Sequence, residues 1–205
     1  MADPNDKKRR APPALRILLD LDVAVTNKFC AAVTRAAPHL LQRKHHKVLE
    51  ISCHGVPWLV GWVAYMLLTT DPSLYQLQAN FLYGLLLDVI AITVIKAFVR
   101  RRRPAGNESD MFMTVGPDKF SFPSGHASRA VFISHFFIYY LELSLLALPL
   151  VAWSASVCVS RVLLRRHHVF DVICGALLGI VESLFVFYFW LGQDTCLWII
   201  SIFTS

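Results

Sequence analysis

Charge is scarce in this sequence. Only 17% of its 205 residues are Asp, Glu, Lys or Arg, against 56% that are hydrophobic. A soluble core of this length has no room for so much apolar surface, and a mean hydropathy of +0.51 points to the bilayer as solvent. Acidic residues are scarcer still, 14 against 20 Lys and Arg, for a formal net charge of +6. No group of carboxylates is clustered as a magnesium site requires, so no metal and no cofactor is expected. The five cysteines are odd in number and none is paired at metal-ligand or redox spacing, so a disulfide framework is not expected either. Internal repeats are missing. No soluble module is present to carry a nucleic-acid surface, and the basic residues flank apolar runs instead. The polar start, Met1 to Arg10, leads into an apolar run broken by Asp20 and Asp22, which does not read as a signal peptide.

What remains is an all-α pattern. Residues 1–13 are charged and Pro-rich and are expected to be disordered. Residues 14–36 are two-faced. Arg16, Asp20, Asn27 and Thr34 recur on one side; Leu18, Leu21, Val25, Phe29 and Ala32 recur on another. Two Asp residues, Asn27 and Lys28 make this a poor span and a good amphipathic helix lying in the interface. A transmembrane domain over 48–205 follows, with five spans at about 48–69, 80–99, 124–143, 147–164 and 169–191, each near the ~20 residues a crossing needs. The apolar stretch 195–203 is too short to cross alone and extends the last helix after a break near Gly192. Loops 35–47, 100–123 and 165–168 are basic, whereas 70–79 and 142–148 hold only Asp71 and Glu142. The positive-inside rule then puts the basic face in the cytosol. Gly175 and Gly179 form a GxxxG, read here as packing within the chain in preference to dimerisation, with a homo-oligomer left open.

Three segments on the basic side carry chemistry. The first is Lys96 to Pro104, the second Pro123-Ser124-Gly125-His126, and the third Ser160 to Asp171. Lys96 lies about one turn inside the end of the second span, and Arg103 lies just outside it, before a Pro that cannot continue the helix. Ser124 and Gly125 open the third span, where free N–H groups and the helix dipole favour an anion. His126 sits in that first turn. Arg161 offers a planar fork for phosphate oxygens. His167 and Asp171 are four apart and share a helix face, and a carboxylate behind an imidazole fixes its tautomer. His168, three from Asp171, is a rival to His167. Three cations, a helix N-terminus, two imidazoles and a carboxylate suit phosphoryl transfer by positioning and electrostatics.

The segments have the form KxxxxxxRP, PSGH and SRxxxxxHxxxD, and in order and spacing they resemble the type 2 phosphatidic acid phosphatase superfamily of lipid phosphate phosphatases and vanadium haloperoxidase relatives. The run Arg100 to Pro104 and the stretch Phe120 to Arg129 are most similar to the polyisoprenoid diphosphate phosphatases of the presqualene diphosphate type. The resemblance implies a metal-independent membrane enzyme. Lys96, Arg103, Ser124, Gly125 and Arg161 would bind phosphate oxygens, and His126 would protonate the leaving oxygen. His167 would attack phosphorus and become phosphohistidine, and Asp171 would orient it; the resemblance also selects His167 over His168. It further implies an isoprenoid diphosphate or monophosphate substrate, membrane lipids as the surroundings, and the endoplasmic reticulum and nuclear envelope as location. Two alternatives stay open: a broad lipid phosphate phosphatase acting on phosphatidate, lysophosphatidate or sphingosine phosphate, and, less favoured, a non-enzymatic membrane scaffold.

Other polar residues have plainer readings. Arg100, Arg101 and Arg102 anchor topology at the head groups. A voltage-sensor or channel reading is weak, because these arginines are contiguous at a helix end whereas a sensor spaces them through a span. His45 and His46 are surface residues. His135 points away from His126 and is a packed or hydrogen-bonded helix histidine, and Arg129 either assists the site or snorkels. Asp88 and Glu182 are intramembrane carboxylates, and whether they support the site or are neutral buried acids is undecided.

Overall fold

The computed structural model describes residues 12–69, 71–107, 119–142 and 144–204. Residues 1–11, expected to be disordered, and much of the basic loop after Asn107 lie outside them. Among the described residues the chain is all-helical. Its helices are α1 (Pro13–Ala36), α2 (Arg43–Ser52), α3 (Gly55–Leu68), α4 (Tyr75–Val99), α5 (Gly125–Leu141), α6 (Ser144–Leu163), α7 (Val169–Tyr188) and α8 (Gln193–Thr204). Pro13 is already the first helical residue of α1, so the N-terminal boundary moves by one, and its missing N–H suits that position.

The expected spans are present as helices but differ in kind. Pro72–Val99 and Val169–Tyr188 are each long and apolar enough to cross a membrane alone. The expected first span, 48–69, is not continuous. It is the end of α2 plus α3, bent by 46° between them, and the pair satisfies the test only together. The break has a local cause. Pro57 supplies no N–H to a helix running through it, and His54 is extended and caps α3 by accepting from the Val56 N–H through Nδ1 at 3.3 Å. Helix α6 is apolar over Ala147–Leu163. Helix α5 is the polar exception. Ser124, Ser128, Arg129 and Ser134 on it are all buried, because it lies inside the bundle between α6 and α7.

Helices α5 and α7 meet backbone to backbone. A Cβ on Gly175 would lie 2.4 Å from the Ser124 carbonyl oxygen, and one on Gly179 would lie 2.2 Å from that of Ser128. The GxxxG therefore packs within the chain, as its spacing suggested. Phe81, Phe132 and Phe136 form a buried aromatic core among α3, α4, α5 and α7. Phe81 lies fifteen residues before Lys96, about 22 Å along α4. At that end α8 folds back, where Asn80 donates to the Leu191 carbonyl at 3.2 Å and accepts from its N–H at 2.8 Å.

Helix α1 packs on the opposite end. Asp22 accepts from the Phe170 N–H at 2.9 Å and Thr26 accepts from the Val169 N–H at 3.1 Å. These are N–H groups at the start of α7, which have no partner within that helix. The next helix thus receives its caps from α1, while Leu15, Ile17, Leu18 and Leu21 remain exposed.

Candidate active site

The three motif segments converge where α4 ends, α5 and α7 begin and α6 ends. Each termination has a local cause. Helix α4 stops at Arg100, which takes a left-handed conformation (φ 53°) as its N–H returns to the Lys96 carbonyl at 3.1 Å. Helix α6 stops in a Schellman turn built on Arg165 (φ 55°). The Arg165 N–H bonds the Val162 carbonyl at 3.0 Å, and the Arg166 N–H bonds that of Arg161 at 3.1 Å. The His167 N–H also donates to the Arg161 carbonyl, at 3.2 Å. A left-handed residue without glycine costs energy, and here it folds His167 back beside Arg161.

His167 is buried, and its Nδ1 lies 2.6 Å from the Ser121 carbonyl oxygen. A carbonyl only accepts, so Nδ1 carries the proton and Nε2 presents its lone pair. Burial, followed by the positive charges of Arg103, Lys96 and Arg161, holds the His167 pKa well below the usual histidine range. All three expected cations therefore lie close enough to act on this ring. Arg161 and His167 in turn lie within electrostatic reach of His126. Ser124 caps α5 by accepting from the Ala127 N–H at 3.4 Å, and its own N–H donates to the Asp171 carbonyl at 3.0 Å. Gly125 is needed for close packing, since a Cβ there would sit 3.1 Å from Ile92. Lys96, Arg103, Ser124, Gly125, His126, Arg161 and His167 are thus drawn to one end of the bundle.

Asp171 also reaches this end, but not as expected. Its Oδ2 accepts from the His168 backbone N–H at 2.9 Å and lies 3.3 Å from His168 Nδ1. Its Oδ1 accepts from Arg101 at 2.5 Å. Asp171 closes the turn around His168, and the Ser121 carbonyl takes the place behind His167. A shared helical face fails as a guide because His167 and His168 precede α7, where the backbone is not helical.

Several residues read as bland have specific partners. Arg101, taken as an anchor, bridges Asp171 and, at 2.7 Å, Asp22 of α1. Arg129 donates to Asp88 at 2.6 Å and to the Cys53 carbonyl at 3.2 Å. This resolves both residues as a buried ion pair beside the site. Glu182 accepts from Ser128 at 3.1 Å. His135 pairs with Ser183 at 2.9 Å, as a hydrogen-bonded helix histidine should. His46, read as a surface residue, is buried.

Glu50, His54 and Asn107 were missed. Glu50 on α2 accepts from Arg161 at 3.3 Å, His54 stacks edge-on against His126 with ring centroids 5.9 Å apart, and Asn107 accepts from Arg166 at 3.1 Å. The available signal was ionisable residues inside an apolar run, which applied to Glu50 and His54 as much as to Asp88. Asp22, His168 and Asp171 also bring potential ligand atoms within 4.8 Å of one another. Arg101 already lies against both carboxylates there.

Cations and two imidazoles gathered at one end of an apolar helical bundle define a membrane phosphatase. Comparison with known proteins agrees. Residues 78–194 match the PAP2 superfamily. The chain is 38% identical over 145 residues to a probable lipid phosphate phosphatase beta of Arabidopsis thaliana, covering 58% of this chain and 68% of that one. Its fold is similar to the crystal structure of a transmembrane PAP2-type phosphatidylglycerolphosphate phosphatase from Bacillus subtilis. The TM-score is 0.58 with 25% identity, over 84% of this chain and 86% of that one. The chain belongs to the PAP2 superfamily. It is an integral membrane hydrolase of the lipid phosphatase type.

Proposed function

We propose that the protein hydrolyses isoprenoid diphosphates or monophosphates through a phosphohistidine on His167, without a metal ion. The observation that carries this mechanism is the His167 Nδ1–Ser121 contact, which leaves Nε2 as an unprotonated nucleophile among Lys96, Arg103 and Arg161. The cations hold the phosphoryl oxygens, with the Ser124 hydroxyl and the Gly125 N–H at the start of α5 completing the cradle. Nε2 attacks phosphorus and the bond to the leaving oxygen breaks. His126 gives that oxygen a proton, then takes one from the water that attacks the phosphohistidine and releases phosphate. Asp171 acts through the loop that it closes with His168 and Arg101.

The isoprenoid assignment rests on the segments Arg100 to Pro104 and Phe120 to Arg129, and on a headgroup site at the end of apolar helices that leaves a prenyl tail in lipid. A broader specificity for phosphatidate, lysophosphatidate or sphingosine phosphate is favoured by one observation, the likeness to a plant protein named as a probable lipid phosphate phosphatase. The basic loops favour a cytosolic active face, and the subgroup likeness favours the endoplasmic reticulum and nuclear envelope.

Two assays test this reading. Rapid acid-free quenching with labelled substrate should trap a phosphoprotein that is stable to alkali and labile to acid, as a phosphoramidate is; no label on His167 refutes the intermediate. A panel of prenyl and glycerolipid phosphates at equal surface concentration, with and without EDTA, should show chelator-resistant release and preference for the prenyl compounds. Dependence on added magnesium, or preference for glycerolipids, overturns the respective claim.

A further inference from the structure

A cavity of about 300 Å³ adjoins the cradle among α3, α4 and α5, sharing Lys96, Gly125 and His126 with it. Its walls divide by chemistry. Lys96, Arg129 and His54 are polar lining residues, and Leu59, Val89 and Ile92 are apolar ones. His126 lines it as well, with the His54 ring edge-on against its own.

Phosphoryl transfer is in line, so the leaving group departs on the side away from the nucleophile. His126, the proton donor of the proposed reaction, lines the cavity, and His167 does not. What leaves depends on the substrate. A glycerolipid phosphate releases a neutral alcohol. An isoprenoid diphosphate releases a phosphate monoester, an anion that needs hydrogen-bond donors where it comes to rest. The cavity has such donors. Because His54 Nδ1 accepts from the Val56 N–H at 3.3 Å, the neutral ring carries its proton on Nε2. His126 Nε2 is fully buried and has no hydrogen-bond partner among the described residues. A buried ring nitrogen in that position calls for a ligand atom.

We propose that this cavity is a second phosphoryl subsite, with His54 as its specificity-determining residue, an inference that rests on the isoprenoid diphosphate reading. The terminal phosphorus bonds to His167 Nε2 and its bond to the bridging oxygen breaks. The electron pair stays on that oxygen, which takes its proton from His126. The prenyl monophosphate so formed is held by His54 and Lys96 while its tail lies along Leu59, Val89 and Ile92. Arg129, held in place by Asp88 and the Cys53 carbonyl, lines the same cavity.

The test is His54→Asn in the full-length protein. Asn preserves a capping oxygen for α3 but removes the ring N–H. Turnover of farnesyl diphosphate should fall roughly tenfold or more in kcat/KM, as expected for a lost hydrogen bond to a charged group, with farnesyl monophosphate changed by less than about twofold. Inorganic pyrophosphate should inhibit the wild type more strongly than inorganic phosphate, and the variant should lose that difference. Equal losses on both lipids, or no loss on either, would overturn the proposal. So would a wild type that pyrophosphate inhibits no better than phosphate. If the wild type instead consumes phosphatidate and ignores prenyl diphosphates while still preferring pyrophosphate as inhibitor, the subsite stands and the substrate assignment of the preceding section falls.

Discussion

Glu50 and Arg161 meet at 3.3 Å with side chains 1% and 0% exposed. They join α2 to the end of α6. The pair holds one edge of the guanidinium, while Arg161 Nε and Nη1 have no hydrogen-bond partner among the described residues. That is the arrangement expected of a fork held ready for an anion. Removing one partner of a buried pair leaves an uncompensated charge, typically about 3 kcal/mol or more in stability. Glu50→Ala should lower the melting temperature and phosphate release together. Glu50→Gln, which keeps an acceptor, should lose less of both. A Gln variant as damaged as Ala would show that the charge of Glu50, and neither its shape nor its hydrogen bond, is what it contributes.

Removal of one cradle cation should cost roughly 10²–10³ in rate, by analogy with loss of one oxyanion donor. Lys96→Ala and Arg103→Ala are the test, scored by steady-state release at saturating lipid. His167→Ala should cost more, about 10⁴-fold at least, with an unchanged circular dichroism spectrum. Less than tenfold loss at both cations would place the cradle elsewhere.

The depressed pKa of His167 predicts a pH profile. In the free enzyme the ring is neutral at and below the ordinary histidine value, so the acid limb of kcat/KM attributable to it should fall well under pH 6.5. Stability follows with a definite sign. Below about pH 6.5 the unfolded chain binds a proton at this ring that the folded chain does not, so this contribution is intact above that pH and is lost as pH falls toward the folded value. In melting temperatures compared from pH 7.5 down to 5, the wild type should lose stability relative to His167→Gln as the pH falls.

Arg101 ties Asp22 of α1 to Asp171 of α7. Asp22→Ala also strips the Phe170 N–H of its cap. It should loosen α1, detected as faster proteolysis within residues 13–36, and lower turnover several-fold through the adjacent histidine loop. Cleavage and turnover both at wild-type levels would show that α1 is only an appendage.

Gly175→Ala and Gly179→Ala each place a methyl group against backbone oxygen at 2.4 Å and 2.2 Å. Neither carbonyl can swing aside as a side chain would, so α5 and α7 must separate. A loss of about 1–3 kcal/mol is expected for such overpacking, with a matching fall in activity. A thermal-shift assay in detergent measures the first and phosphate release the second.

The helical order, the site end of the bundle and the gathering there of Lys96, Arg103, Ser124, Gly125, His126, Arg161 and His167 were legible in the sequence because they depend on local features. Apolar run length marks spans, and the positions Lys96, Ser124 and Arg161 fall at predictable helix ends. What stayed hidden depends on tertiary approach. The bend between α2 and α3 puts Glu50 and His54 at the site although neither belongs to a motif segment. Arg101 looked like its neighbours Arg100 and Arg102, and only the placement of α1 separates it from them. The partner of His167 is a backbone carbonyl, a group that every residue carries and that no side-chain pattern can reveal.

The glycine contacts between α5 and α7 have one more consequence. With no side chain to act as a spacer there, the helix bearing His126 and the helix that follows His167 lie backbone against backbone. Any change in the spacing of His126 and His167 therefore has to open that contact. The bent α2–α3 pair, by contrast, meets α5 at Gly55 through the Arg129 side chain, a contact that a rotamer change can alter.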